Sequence, residues 1–149
     1  ADYEVVHHTE LLLDLFHQGR LTASNGKTEA LTFHDSCYLG RWNGIFQAPR
    51  DLLSSINGGT RPIEMMRSES KGFCCGAGGA RMFMEETIGK RINEERAEEI
   101  IATGAKTAAV ACPFCATMLR DGILEKQSEV QVKDVVEIID EVTSGTSNA

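Results

Sequence analysis

The chain has 149 residues, of which 42% are hydrophobic and 25% charged, enough for one compact domain with a core of its own. No apolar run approaches the roughly 20 residues of a membrane-spanning helix, and the start lacks the basic and apolar regions of a signal peptide. A net charge of −7 without a basic stripe, and six Phe, two Tyr and one Trp too scattered to form a stacking platform, argue against nucleic acid.

The first residue is Ala1 rather than Met, which reads as an excised or processed piece. Residues 9–18 (TELLLDLFHQ) place Leu12, Leu15 and Phe16 on one face and predict a helix, with Thr9 as N-cap and Gly19 as stop. Residues 21–30 are polar and carry Gly26, so they read as a linker. Residues 30–34 (ALTFH) are short, apolar and β-prone. After an irregular Gly-bearing stretch, Pro49 suits a first helical turn, Leu52, Leu53 and Ile56 supply an apolar stripe, and Asn57-Gly58-Gly59 ends it. Residues 62–66 form a weaker strand candidate. Met84, Ile88, Ile92, Ile100 and Ile101 predict one long helix over 80–102, closed by Gly104. Residues 107–111 (TAAVA) predict a buried strand, and Phe114, Met118 and Leu119 a short helix closed near Gly122. Residues 129–133 predict the last strand, and Val135, Ile138, Ile139 and Val142 the closing helix. The small polar residues 143–149 are expected to be disordered.

Strands alternating with helices predict an α/β fold: a small, mostly parallel sheet flanked by helices in Rossmann-like layers. Five cysteines stand on that frame, Cys37 past the first strand, Cys74 and Cys75 past the second, and Cys112 and Cys115 past the third. An odd count, with one vicinal pair, does not suit a secreted disulfide framework and favours a reducing compartment. In an open parallel sheet the carboxyl ends of the strands share one edge, where ligands bind. The cysteines are therefore expected to meet there, several near helix N-termini that favour thiolates. Cys112-Pro113-Phe114-Cys115 alone is a weak signal, shared by zinc sites and redox dithiols. The whole spacing C-x36-C-C-x36-C-x-x-C is far more specific. A zinc ion takes four ligands and leaves one thiolate over, whereas iron–sulfur chemistry accommodates more. Zinc in a four-thiolate structural module stays an alternative, as does a dithiol oxidoreductase using Cys112 and Cys115.

Other residues have two readings each. His34 either donates a hydrogen bond behind the cysteines or merely packs at the strand end, the simpler expectation. His7 and His8 read as a solvated surface pair. Arg41 and Arg81 either offset charge near the cysteines or cap loops. Met65, Met66, Met82, Met84 and Met118 read as core filler. Gly76-Ala77-Gly78-Gly79 fails as a dinucleotide fingerprint, because Arg81 stands at its sixth position.

The stretches FHDSCYLGRWNGIFQAPRDLL, GFCCGAGGARMFMEE and ACPFCATMLRDG resemble the CCG, or cysteine-rich, domain of the heterodisulfide reductase-like iron–sulfur oxidoreductases. The most similar subgroup is the C-terminal half of membrane-associated oxidoreductases linked to electron-transfer flavoprotein and quinone. The resemblance implies a [4Fe–4S] cluster of non-cubane type, held by Cys37, Cys74, Cys75, Cys112 and Cys115. It also implies electron transfer to or from a disulfide, quinone or flavoprotein partner. Further implied are a second CCG domain, a ferredoxin-like iron–sulfur domain in the parent protein, and a cytoplasmic location, on a membrane face for the parent. Ser36 departs from the family, which often has Pro there; its hydroxyl either donates to a cluster sulfur or caps the next turn. The CCG domain is expected over 31–142. Residues 1–30 are expected to be a strand, helix and linker from a preceding repeat. The motive is an echo: Tyr3, Val5, Glu10, Leu11 and Leu12 match Val130, Val132, Glu137, Ile138 and Ile139 at the same spacing.

Overall fold

The structure, a computed structural model, describes residues 2–23 and 29–143. Three parallel strands form its sheet in the order β1 (Leu31–Phe33), β2 (Thr107–Val110), β3 (Gln131–Asp134). Leu31 pairs with Thr107, which in turn pairs with Gln131. Among the described residues five α-helices surround it: α1 (His8–His17), α2 (Gln47–Ile56), α3 (Ile92–Ala102), α4 (Pro113–Glu125) and α5 (Val135–Thr143). β2 is central and buried along its whole length, as a strand covered on both faces must be. Its side chains alternate accordingly. Ala108 and Val110 join Ala97, Ile100, Leu119 and Ile123 of α3 and α4 on one face. Ala109 joins Phe33, Leu52, Leu53, Ile138 and Ile139 on the other, with Leu12, Leu13 and Phe16 of α1 packed outside them. The layered α/β prediction therefore holds.

Several local expectations need correction. The long helix over 80–102 starts only at Ile92. Upstream, Gly79, Ala80 and Gly89 have left-handed backbone and residues Arg81–Phe83 form a single 3₁₀ turn. Met84 and Ile88 keep the four-residue spacing of a helical stripe, yet both are exposed, so no core rewards a helix there. The helix expected to close near Gly122 runs through it to Glu125. Gly122 is a packing glycine: a Cβ on it would lie 2.6 Å from the Asn93 carbonyl oxygen of α3. The weak strand over 62–66 reduces to one parallel bridge, between Thr32 and Ile63. No strand forms at residues 3–6, where Tyr3 and Val5 are exposed. The N-cap of α1 is His7, not Thr9: its side chain accepts from the Thr9 amide, while Glu10 reaches back to the His7 amide. Of the methionines, Met65 and Met118 fill the core but Met66 and Met84 are exposed. Thr143 ends α5; the rest of the expected tail, and residues 24–28 of the expected linker, lie outside the described residues.

Candidate functional site

Three loops bring the cysteines to the carboxyl edge of the sheet. Past β1 the chain runs through His34, Asp35 and Ser36 to Cys37, which opens a π-helical turn at Tyr38–Trp42. Past β2, Cys112 is the N-cap residue of α4, with Pro113 in the first turn where its missing N–H costs nothing. Cys74 and Cys75 lie between a 3₁₀ turn (Glu69–Lys71) and α3. Gly76 follows them with φ +91°, a conformation glycine allows, and a Cβ there would press on Ile92 at 3.1 Å.

All five cysteines are free thiols, Cys75 and Cys115 buried and the others half-buried. They gather at one place: Cys37, Cys74, Cys75 and Cys115 line one cavity, the sulfurs of Cys75 and Cys115 lie within 4.8 Å of each other, and Cys37 also lines a groove with Cys112. Their protons divide unequally. Bonds from the Cys115 and Cys74 thiols, helped by His34 and the Ala77 amide, outweigh burial and hold Cys75 well below the ordinary thiol range. The Cys115 thiol, with the amides of Cys115 and Phe114 at the start of α4, lowers Cys112 to about 6 despite burial. Cys115 is pushed up by its bonds to Cys112 and Cys75 and by burial, and Cys74 by its bond to Cys75 and by burial. The Gly76 amide pulls the other way on Cys74, donating to its Sγ at 3.3 Å.

His34 does more than pack at the strand end. It is buried, and the ligand atoms of His34, Cys75 and Cys115 lie within 4.8 Å of one another. Arg96 Nε donates to His34 Nδ1 at 3.0 Å, and burial lowers the imidazole pKa. Ser36 caps nothing; its buried hydroxyl has no partner. Arg41 donates to the Gly72 carbonyl at 3.0 Å, tying the Cys37 loop to the Cys74 loop, and Arg81 pairs with Glu86. His7 is a helix cap and no mere solvated group.

The charged frame behind the thiols was not expected. Arg50 is buried and reaches both Asp35 oxygens, at 2.8 and 3.0 Å, and Glu64 at 2.7 and 2.8 Å. Asp35 also accepts from the Glu69 amide at 2.7 Å. Burial opposes the charge of Arg50, but Glu64 and Asp35 outweigh it and raise its pKa. One signal was readable in advance: Arg96 falls midway between Ile92 and Ile100 at four-residue spacing, a charge inside an apolar stripe.

A parallel α/β sheet whose carboxyl edge gathers free cysteines from three loops defines a thiolate-centred domain. The chain belongs to the CCG, cysteine-rich domain family, whose model matches residues 31–120. It is 48% identical over 91% of its length to the Bacillus subtilis protein named "Probable iron-sulfur-binding oxidoreductase FadF", covering 19% of that protein. It is 39% identical to the EtfAB:quinone oxidoreductase of Syntrophomonas wolfei, over 93% of this chain and 20% of the relative. One component of the dihydromethanophenazine:CoB–CoM heterodisulfide reductase of Methanosarcina barkeri is 36% identical over 93% of this chain and 34% of its own length. The chain thus spans about a fifth to a third of the length of these relatives. Among the described residues, no helix is long and apolar enough to cross a membrane.

Proposed function

We propose that this chain is the cluster-binding domain of a heterodisulfide reductase-like oxidoreductase, with Cys37, Cys74, Cys75, Cys112 and Cys115 as ligands of a [4Fe–4S] cluster of non-cubane type. The observation that carries this is the meeting of five free thiols from three loops. The site has further features that suit such a group. The Gly76 amide donates to Cys74 Sγ at 3.3 Å, and the residue before Cys37, Ser36, has a buried hydroxyl without a partner. When bound, the cluster supplies one-electron chemistry, with a potential set by charge, hydrogen bonds to sulfur and solvent access. The protein holds the thiolates, donates amide hydrogens to them and keeps Cys75 and Cys115 from water.

Cys37 and Cys112 line an apolar groove of about 600 Å³, walled by Val5, Tyr38, Ile45 and Phe114. A disulfide, quinone or flavoprotein partner exchanges electrons through that opening, and neighbouring parts of a longer parent, a second CCG domain and a ferredoxin-like domain, supply or collect them. Residues 1–30 are assigned to the end of a preceding repeat. The sequence echo has a structural counterpart, because Glu10 bonds back to the His7 amide as Glu137 does to the Asp134 amide. His7 and Asp134 each accept from the amide two residues on.

Anaerobic reconstitution followed by assay of iron, acid-labile sulfide and zinc tests the proposal. About four iron and four sulfide per chain are expected. One tight zinc without sulfide overturns it in favour of a structural module, in which metal binding is folding energy.

A further inference from the structure

We propose that His34 is a positioning residue for the cysteine site: its Nε2–H donates to the Cys75 sulfur, and Arg96 fixes the ring in the tautomer that makes this bond. The inference rests on the cluster-binding reading above for its redox consequence, though not for its geometry.

An arginine side chain has five N–H donors and no acceptor. The contact between Arg96 Nε and His34 Nδ1 at 3.0 Å therefore requires a lone pair on Nδ1. A neutral imidazole has one such lone pair, so the hydrogen of the ring sits on Nε2. The ring also stands against sulfur, its ligand atom within 4.8 Å of those of Cys75 and Cys115, and with Nδ1 taken by Arg96 the one N–H it has to offer them is that of Nε2. Arg96 cannot turn away easily. It is fully buried, gives a second hydrogen bond to the Arg67 carbonyl at 2.8 Å, and pairs with Glu99, which also holds Arg67. Glu99, Arg96, His34 and Cys75 thus form one ordered series from α3 to the thiols.

The same lone-pair count speaks against His34 as a metal ligand. Coordination needs a free pair on the nitrogen that faces the sulfurs, and the only pair of the neutral ring is engaged by Arg96. The role left is donation. An N–H directed at a ligand sulfur stabilises added negative charge, so it favours the reduced state of a bound cluster.

Nitrogen-15 NMR of ring-labelled protein, metal-free and loaded, reads the tautomer without any substitution; Nε2 protonated and Nδ1 bare is the expected result. Redox titration of the loaded protein gives the consequence. His34→Leu is expected to move the midpoint to more negative potential at unchanged iron and sulfide content. His34→Gln, which can place an amide N–H near the former Nε2, is expected to recover part of the shift. A protonated Nδ1 in the wild-type protein overturns the proposal, as does an unchanged potential in a loaded His34→Leu variant. A strongly coupled nitrogen in the electron–nuclear double-resonance spectrum of the loaded wild type also overturns it, making His34 a ligand. If wild-type protein incorporates no sulfide, the cluster reading fails on its own, and the metal-free tautomer still decides the geometry. If His34→Leu does not fold, the wild-type spectra decide.

Discussion

Gly122→Ala sets helix propensity against packing, and the structure decides which wins. Alanine inside a helix is favoured over glycine by about 1 kcal/mol. At this position, however, the new Cβ would lie 2.6 Å from the Asn93 oxygen, 3.0 Å from the Asn93 carbonyl carbon and 3.2 Å from the Ala97 Cβ. The first two are backbone atoms of α3, so no flexible side chain can swing aside. Restoring ordinary contact requires α3 and α4 to separate by most of an ångström along a shared face containing Ala97, Ile100 and Leu119. The separation also strains the buried Asn93 amide bond to the Met118 carbonyl, 3.1 Å long. Overpacking of this kind costs roughly 1–3 kcal/mol, and weakening a hydrogen bond about 1 more.

After the propensity gain, a net loss of about 1–3 kcal/mol remains, or a fall in Tm of roughly 3–9 °C for a domain of this size. The assay is urea and thermal unfolding of the metal-free protein, because a bound cluster would spoil two-state behaviour. Gly78→Ala is the control, since a Cβ there meets nothing within 4 Å and the backbone is not left-handed. A Gly122→Ala variant as stable as the parent, or more so, refutes the close-packing argument. The effect should also reach the site, since α4 carries Cys112 and Cys115 at its start.

Arg50→Met leaves the buried Asp35 carboxylate without its bidentate partner and is expected to cost about 3–5 kcal/mol in urea unfolding. Adding Asp35→Asn should recover part of that loss; a single-variant cost below about 1 kcal/mol would show the pair to be incidental. Cys75→Ser is expected to lose or alter the reconstituted cluster while circular dichroism of the metal-free fold is kept; an unchanged spectrum and iron content means that at most four cysteines are needed. Deleting residues 1–20 removes the partly buried Leu12, Leu13 and Phe16, worth roughly 3 kcal/mol together, so a cooperative but less stable domain is expected. Loss of the cooperative transition would make the segment integral to this domain and sink its assignment to a preceding repeat.

The parts of the fold legible in the sequence are those where one physical signal dominates. The continuous apolar run at 107–111 marks a strand covered on both faces, and the Gly58-Gly59 and Gly104 stops fall where α2 and α3 end. The glycines misled where their role was not termination. Gly122 lies inside α4 because it admits another backbone, and spacing alone cannot separate that role from a stop. Met84 and Ile88 misled in the opposite sense: they keep helical periodicity, but no neighbouring surface buries them. The cysteine spacing placed the site because each group follows a stretch that adds to one sheet edge. Its supporting groups were harder to read, since the partners of Arg50 and Arg96 come from segments far apart in sequence.

Those partners explain how a site built on irregular backbone can hold its shape. The loop after β1 and the segment from Glu64 to Cys75 contribute little regular hydrogen bonding to each other. Charged side chains from helices stand in for the missing ladder. Arg50 of α2 holds Asp35 and Glu64, Asp35 accepts the Glu69 amide, and Arg41 accounts for the Gly72 carbonyl. On the other side Arg96 of α3 binds the Arg67 carbonyl and His34, while Arg67 lies 3.7 Å over the Phe73 ring. Buried ion pairs seldom stabilise a fold more than well-packed apolar groups of the same volume would. An apolar replacement for Arg50 could fill the space, but it would leave Asp35 unpaired and the Glu69 turn without a fixed acceptor. The two arginines are therefore best understood as braces, one on each side of the Cys74-Cys75 loop, that hold thiols from separate segments at one edge before any metal arrives.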